Sequence, residues 1–150
     1  MENKIVVKEV PIEEAVKINA TIVEFKDPDA PYQKKYFEDR YKGKDHLIIV
    51  AFVSNQPAGY IVGYDEFGDG SFYCWMAGVN PRFRKMGLLK ALMEYQDSWA
   101  KKKGYRKIKL KTRNNRREML SYLIKHGFQI IDFEPRDDIG ENRILFEKQL

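Results

Sequence analysis

Residues 79–93 read VNPRFRKMGLLKALM, and they carry the chain from an apolar strand, through a basic turn, into a helix. The first amides of a helix have no intrahelical acceptor, and the helix dipole surrounds them with positive potential. Gly87 lets a ligand approach the main chain closely, and Arg84 and Lys85 add two cations. We therefore predict an anion site at this turn, suited to a phosphate or pyrophosphate.

The composition indicates one ordinary globular domain over residues 1–150, because 43% of the residues are hydrophobic and 33% are charged. A single cysteine, Cys74, excludes an internal disulfide and a cysteine-based zinc site, and we expect no metal. The uncharged run from Gly70 to Arg82 is too short to span a bilayer, and the N-terminus lacks the layout of a signal peptide. We expect a cytoplasmic protein with no membrane partner.

Charge is distributed unevenly along the chain, although the net charge is only +5. Between Arg82 and Arg117 there are 14 Lys or Arg against Glu94 and Asp97, so the flanks are acidic. A basic third predicts an anionic ligand, and the acidic flanks favour a cationic one elsewhere. The three lysines 101–103 have an equally good explanation, which is that their charges keep the end of a helix soluble.

Hydrophobic periodicity predicts the order βααβββαβαββ around one sheet, an α+β or mixed α/β fold. Helices are predicted at 12–23, broken by the prolines of 27–31, at 32–42 ending at Gly43, from 88 to Gly104, and at 115–126 before Gly127. Strands are predicted at 5–7, 47–53, 58–64, 71–79, 106–112, 128–133 and 143–147. A hairpin turn is expected at 54–57.

Two stretches together resemble the GNAT superfamily of N-acetyltransferases. The first is Val79-Asn80-Pro81 followed by Arg84-Lys85-Met86-Gly87-Leu88-Leu89, which is similar to the family's acyl-CoA loop. The second is the helix that starts near Asn115 and ends in Gly127-Phe128. The resemblance implies a central, mostly antiparallel sheet flanked by helices, in which the strands 71–79 and 106–112 splay apart to admit coenzyme A.

The resemblance also implies the site residues. The pantetheine arm would pair with the main chain near Ala77 and Val79, with Asn115 as a further contact. The pyrophosphate would lie on the amides of Arg84, Lys85, Met86, Gly87, Leu88 and Leu89. Two departures from the family pattern are visible, because Leu89 replaces a small residue and Leu123 stands where many members carry a catalytic tyrosine. Tyr122, one position away, is the candidate acid, and packing on the sheet is the alternative.

A general base must take a proton from the amine acceptor, whose pKa is about 10.4 if it is lysine-like. Tyr73 occupies the position that often holds the family's carboxylate base, so we predict a water-relayed base from the group Asp65, Glu66 and Asp69, with Glu66 as first candidate. Cys74 is not required as a nucleophile, because transfer is direct. Asn115 and Glu118 have the spacing of a capping box. The aromatic residues of the second predicted helix line an acceptor pocket or serve a structural role: Tyr32, Tyr36, Phe37 and Tyr41.

The function implied is acetyl-CoA-dependent acetylation of a primary amine, small molecule or protein, by direct attack in a ternary complex. The acidic flanks favour a cationic acceptor, and the family resemblance makes a homodimer possible. One alternative is a nucleic-acid-binding module that uses residues 82–117, although that region lacks stacking aromatics and a helix-turn-helix pattern. Another is a relative that binds acyl-CoA without catalysis.

Overall fold

A computed structural model describes residues 4–22 and 33–150. The strands are β1 (Ile5–Glu9), β2 (His46–Val53), β3 (Gln56–Tyr64), β4 (Ser71–Val79), β5 (Lys107–Arg113), β6 (Gln129–Glu134) and β7 (Arg143–Gln149). The α-helices are α1 (Ile12–Asn19), α2 (Lys34–Tyr41), α3 (Leu88–Lys103) and α4 (Arg117–Lys125). Two short 3₁₀ turns cover Pro81–Phe83 and Ile139–Glu141. The predicted order βααβββαβαββ is confirmed.

The seven strands form one sheet in the order β1-β2-β3-β4-β5-β7-β6. Every neighbouring pair is antiparallel except β4 and β5. The pairing of β4 with β5 is short: it begins with Ser71 opposite Lys107 and ends with Cys74 opposite Leu110. Beyond Cys74 the two strands are no longer paired, which confirms the predicted splay.

Each face of the sheet carries two of the helices and its own apolar core. On one face α3 and α4 contribute Leu88, Leu92, Met93, Leu120 and Leu123 to a core with the sheet. On the other face α1 and α2 contribute Ile12, Ile18, Phe37 and Tyr41. Burial of these side chains holds the helices in place, at about 25 cal/mol for each square ångström of apolar surface removed from water.

The predicted boundaries need small corrections. The hairpin turn is only Ser54-Asn55, both with positive φ (47° and 70°), so β3 already begins at Gln56 and includes Pro57. A two-residue turn of that conformation matches the twist of the flanking strands. The first helix ends at Asn19, with Ala20 as its C-cap, so the predicted continuation through 20–22 is wrong. The second helix starts at Lys34 rather than 32. The predictions for Val23, Tyr32 and the break at 27–31 lie outside the described residues.

Candidate functional site

A β-bulge at Trp75 lies where β4 and β5 part. Val62 of β3 is opposite Met76, but the next residue, Gly63, is opposite Cys74, so Trp75 is the extra residue. As a result Trp75 and Met76 both pack on the α1–α2 face, and Ala77 and Val79 pack on the α3–α4 face. A bulge bends its strand, and this bend turns the second half of β4 away from β5.

The open edge of β4 offers main-chain groups to a ligand. The Asn80 amide donates to the Ala58 carbonyl at 2.8 Å, so it points toward β3. Successive amides of a strand point to opposite sides, so the N–H and C=O groups of Ala77 and Val79 point into the gap. An unpaired strand edge of this kind readily accepts an extended ligand as an added strand.

The turn after β4 ends at the exposed start of α3. Asn80 caps the 3₁₀ turn by accepting a hydrogen bond from the Arg82 amide at 2.9 Å. Lys85 and Gly87 have positive φ, 64° and 83°, and Gly87 is the N-cap of α3 without a side-chain cap. The first four amides of the helix therefore lack a side-chain acceptor at the cap and face the dipole's positive end.

The opposite wall comes from α4 and the loop before it. The Asn115 amide donates to the Gly140 carbonyl at 2.9 Å, and its side chain donates to Glu141 at 3.2 Å. The predicted capping box is therefore wrong: α4 is preceded by Arg116 as N-cap, without a side-chain cap, because Asn115 is committed to the loop between β6 and β7. Tyr122 lies seven residues after Asn115, two helical turns along.

These walls enclose one cavity of about 640 Å³. Of the predicted site residues, the cavity brings together Ala77, Val79, Arg84, Lys85, Gly87, Leu88, Leu89, Asn115 and Tyr122. Met86 does not line it, because its side chain packs against the α3–α4 core. Several lining residues were not predicted from the sequence, among them Phe83, Lys90, Arg116, Arg117, Met119 and His126. The basic pair at the start of α4 was visible in the sequence.

Tyr122 lies in the wall of the cavity, and its environment keeps its hydroxyl protonated. Burial raises its pKa to about 12, and the carboxylates of Asp97 and Glu94 add to the effect. Its phenol therefore stays protonated throughout the physiological range. Leu123, at the family's usual tyrosine position, is fully buried in the core.

Glu66 lies elsewhere, beyond the end of β3 and outside the cavity lining. It pairs with Lys44 at 3.8 Å, and it lies near the hydroxyl of the buried Tyr64, where burial first and then this carboxylate raise the pKa of Tyr64 to about 12. Asp65 and Asp69 also have partners: Asp65 accepts from the Gly68 amide, and Asp69 accepts from Ser71 and Lys109. Those hydrogen bonds, that from Lys109 first, hold the pKa of Asp69 well below its usual range.

The aromatic residues of α2 form a cluster with β4 on the α1–α2 face. The rings of Tyr36 and Phe37 lie 5.6 and 5.4 Å from that of Trp75. Tyr64 contacts Trp75 edge-on at 5.8 Å. Tyr41 instead stacks on His46 at 4.3 Å, away from this cluster. The cluster adjoins the gap on the side opposite the cavity.

The basic third of the sequence does not form one continuous surface. Arg84, Lys85, Arg116 and Arg117 line the cavity, whereas the lysines of β5 pair with Glu147, Asp69 and Glu134 at 2.8 to 3.1 Å. The triplet 101–103 lies at the far end of α3, about 21 Å from the cavity end of the helix at 1.5 Å per residue. In residues 4–22 and 33–150 no helix is long and apolar enough to cross a membrane.

Comparisons with known proteins agree with this geometry. The model of the acetyltransferase (GNAT) family matches residues 13–128. No curated protein matches the chain in sequence. Ard1 from Thermoplasma volcanium has a similar structure (TM-score 0.78, 19% identity, covering 97% of each chain).

Two further solved structures are similar. One is the PaiA N-acetyltransferase from Thermoplasma acidophilum in complex with coenzyme A (TM-score 0.72, 17% identity, 98% of this chain and 99% of that one). The other, nourseothricin acetyltransferase, is matched over 70% of this chain and only 65% of its own (TM-score 0.63, 19% identity). At these identities the likeness concerns the fold, while the family match spans most of the sequence. The chain therefore belongs to the GNAT family of acetyltransferases, which are acyltransferases that use acetyl-CoA.

Proposed function

We propose that the protein transfers an acetyl group from acetyl-CoA to a primary amine by direct attack within a ternary complex. The observation that carries the proposal is the cavity in which the open edge of β4, the start of α3 and the hydroxyl-bearing face of α4 converge. Bound there, acetyl-CoA supplies an activated thioester. A cavity of about 640 Å³ lies within the usual size range of ligand sites.

Three parts of the wall suit three parts of that cosubstrate. The edge groups of Ala77 and Val79 suit an extended amide-bearing arm. The amides at the start of α3, with Arg84 and Lys85 beside them, suit a pyrophosphate. The leucine at position 89 lines the cavity without closing it.

The chain's own groups can then perform the chemistry. The Val79 amide, which points into the gap, is a donor for the thioester oxygen as negative charge develops there. Tyr122 holds its proton below about pH 12 and is the acid for the departing thiolate. Glu66 lies on the other face, linked through Tyr64 to the aromatic cluster, and is the proposed base through water.

The test is thermal unfolding with and without acetyl-CoA, followed by a thiol-release assay over a panel of amines. Ligand at 100 times its dissociation constant adds about 2.7 kcal/mol of stability. A shift that persists at moderate salt, with amine-dependent thiol release, supports the proposal. A shift without release from any amine supports the non-catalytic acyl-CoA-binding relative instead.

Nucleic-acid binding is the alternative function, and its dependence on salt distinguishes it from acetyl-CoA binding. Phosphate-dominated binding falls steeply with salt, and the β5 lysines are already paired with carboxylates. Salt-sensitive anisotropy of a labelled oligonucleotide, without an acetyl-CoA shift, would favour it. Homodimer formation stays a prediction, and analytical ultracentrifugation would test it. Cytoplasmic location also stays a prediction, and imaging of the tagged protein would test it.

A further inference from the structure

The gap between β4 and β5 begins after Cys74, and Arg40 contacts the next residue, Trp75, on the α1–α2 face. Its guanidinium lies over the ring of Trp75, 5.1 Å from the centroid. Trp75 is the bulge residue, at the point where pairing of β4 with β5 stops. Arg40 is therefore next to the place where an amine would reach the thioester from the side opposite the cavity.

The guanidinium is fixed in its plane by two contacts. Its Nε donates a hydrogen bond to the Tyr64 hydroxyl at 2.8 Å, and Tyr64 is fully buried. Stacking on Trp75 supplies the second contact. Trp75 covers one face of the guanidinium, and Tyr64 accepts the hydrogen of Nε. The two terminal nitrogens therefore remain available to donate to a planar acceptor such as a carboxylate.

Three carboxylates of this part of the protein have lysine partners. Glu66 pairs with Lys44 at 3.8 Å, and Asp69 pairs with Lys109 at 2.8 Å. Asp39, one residue before Arg40, pairs with Lys35 at 3.4 Å. With the residues that the structure describes, Arg40 itself forms no ion pair. Among the described residues no carboxylate therefore lies in ion-pair contact with the Arg40 guanidinium, although the Glu66 carboxylate lies near enough to act on it electrostatically.

We propose that Arg40 binds a carboxylate of the acceptor, so that the substrate class is an amino acid or another amine that carries a carboxylate close to the reacting nitrogen. This inference rests on the proposed function and deepens it. It also differs from the cationic acceptor that the acidic flanks favoured, because Asp39, Glu66 and Asp69 are already paired with lysines. A planar carboxylate fits the rigid fork of the guanidinium, whereas a polyamine would meet like charge.

The first experiment compares matched acceptors. Thiol release from acetyl-CoA is measured with the 20 common amino acids and with ω-amino acids of increasing chain length, each beside its carboxamide and its decarboxylated amine. The carboxylate-bearing member of a pair is expected to have kcat/KM about 10- to 100-fold higher, the worth of a hydrogen-bonded charge pair. Equal rates for the members of every active pair would overturn the proposal.

The second experiment removes the guanidinium. In Arg40→Gln we expect KM for the carboxylate-bearing acceptor to rise about 10- to 100-fold, with KM for acetyl-CoA unchanged and the carboxamide affected less than threefold. Arg40→Lys keeps the positive charge but not the two-pronged guanidinium. Its KM for the carboxylate-bearing acceptor is expected to lie between those of wild type and Arg40→Gln. The control is Lys35→Gln on the same helix, an exposed position paired only with Asp39, which should leave both substrates unaffected.

A binding measurement separates failure of this inference from failure of the catalytic proposal. Saturation-transfer NMR in the presence of coenzyme A detects N-acetylamino acids and their amides on the protein without turnover. Binding of the acids, but not the amides, in wild type and its loss in Arg40→Gln would support the site even if no amine is acetylated. If acids and amides bind alike in both proteins, Arg40 is a structural residue that packs on Trp75.

Discussion

The imidazole of His126 stacks on the phenol ring of Tyr122, with centroids 3.9 Å apart and planes inclined by 16°. Nδ1 of His126 also lies 2.8 Å from the Tyr122 carbonyl oxygen, so that nitrogen carries the hydrogen. His126, one helical turn after Tyr122, therefore packs against one face of the ring of the candidate acid. Both rings line the cavity.

Tyr122→Phe is expected to lower kcat about 100-fold while KM for acetyl-CoA changes less than threefold, because only the proton donor is lost. Burial raises the pKa of Tyr122 to about 12, so in wild type this group should cause no fall in kcat between pH 7 and 10. Tyr95→Phe, on α3 with its hydroxyl 3.4 Å from Glu9, is the control. Unchanged kcat in Tyr122→Phe would show that the ring is structural.

Gly87→Ala should weaken coenzyme A binding several-fold and cost about 1 kcal/mol of stability, because φ is +83°. The added Cβ meets no atom within 4 Å, so it enters cavity space that the ligand needs. Gly104→Ala, at the other end of α3, has φ +97° and equally open surroundings. Calorimetric titration and urea unfolding should show the same stability cost for both variants but weaker binding only for Gly87→Ala. Equal affinity in the two variants would contradict an anion site at this turn.

Glu66→Gln should lower kcat about 100-fold, because no carboxylate is then left to take the proton of the amine through water. The rate should then follow the ionisation of the free amine as pH rises. The comparison is Asp69→Asn, which removes a carboxylate already bound to Ser71 and Lys109. Rate profiles from pH 6 to 10 distinguish the two variants. A normal profile in Glu66→Gln would assign the base to another group.

Stability should fall at alkaline pH. Burial raises the pKa of the Cys74 thiol from 9.0 to about 12, so between these values the unfolded chain has released a proton that the folded chain retains. Stability is therefore independent of this group below about pH 9 and decreases as pH rises toward 12. Urea unfolding at pH 8 and 10 should show about 1 kcal/mol more loss in wild type than in Cys74→Ala. Parallel losses in both proteins would mean that the thiol does not contribute.

The sequence alone was sufficient for the elements whose patterns are local. The run Ser71–Val79 was predicted with its observed bounds, and α3 ends at Gly104 as expected. Local patterns also located the turn at Arg84–Gly87, because glycine and cations there are readable without knowing what lies opposite. Together with the family resemblance, which supplied Ala77, Val79, Asn115 and Tyr122, they gave nine of the residues that line the cavity.

Contacts between distant segments decided the rest. The side chain of Asn115 is committed to Glu141, 26 residues away, so its capping pattern was not realised. Trp75 became a bulge because of its register with β3, which no alternation within β4 reveals. Arg40 reads as an ordinary helix cation until the fold stacks it on Trp75.

The sequence by itself determined the order of elements, the position of the turn and the family, because helix caps, strand alternation and short motifs depend on neighbouring residues. Only the tertiary structure decided that Tyr122 faces the cavity while Leu123 is buried, since adjacent positions on a helix differ by about 100° in direction. It also decided that Glu66 lies on the far face with Tyr64. Which side chain meets a ligand depends on packing between segments that the chain brings together only when it folds.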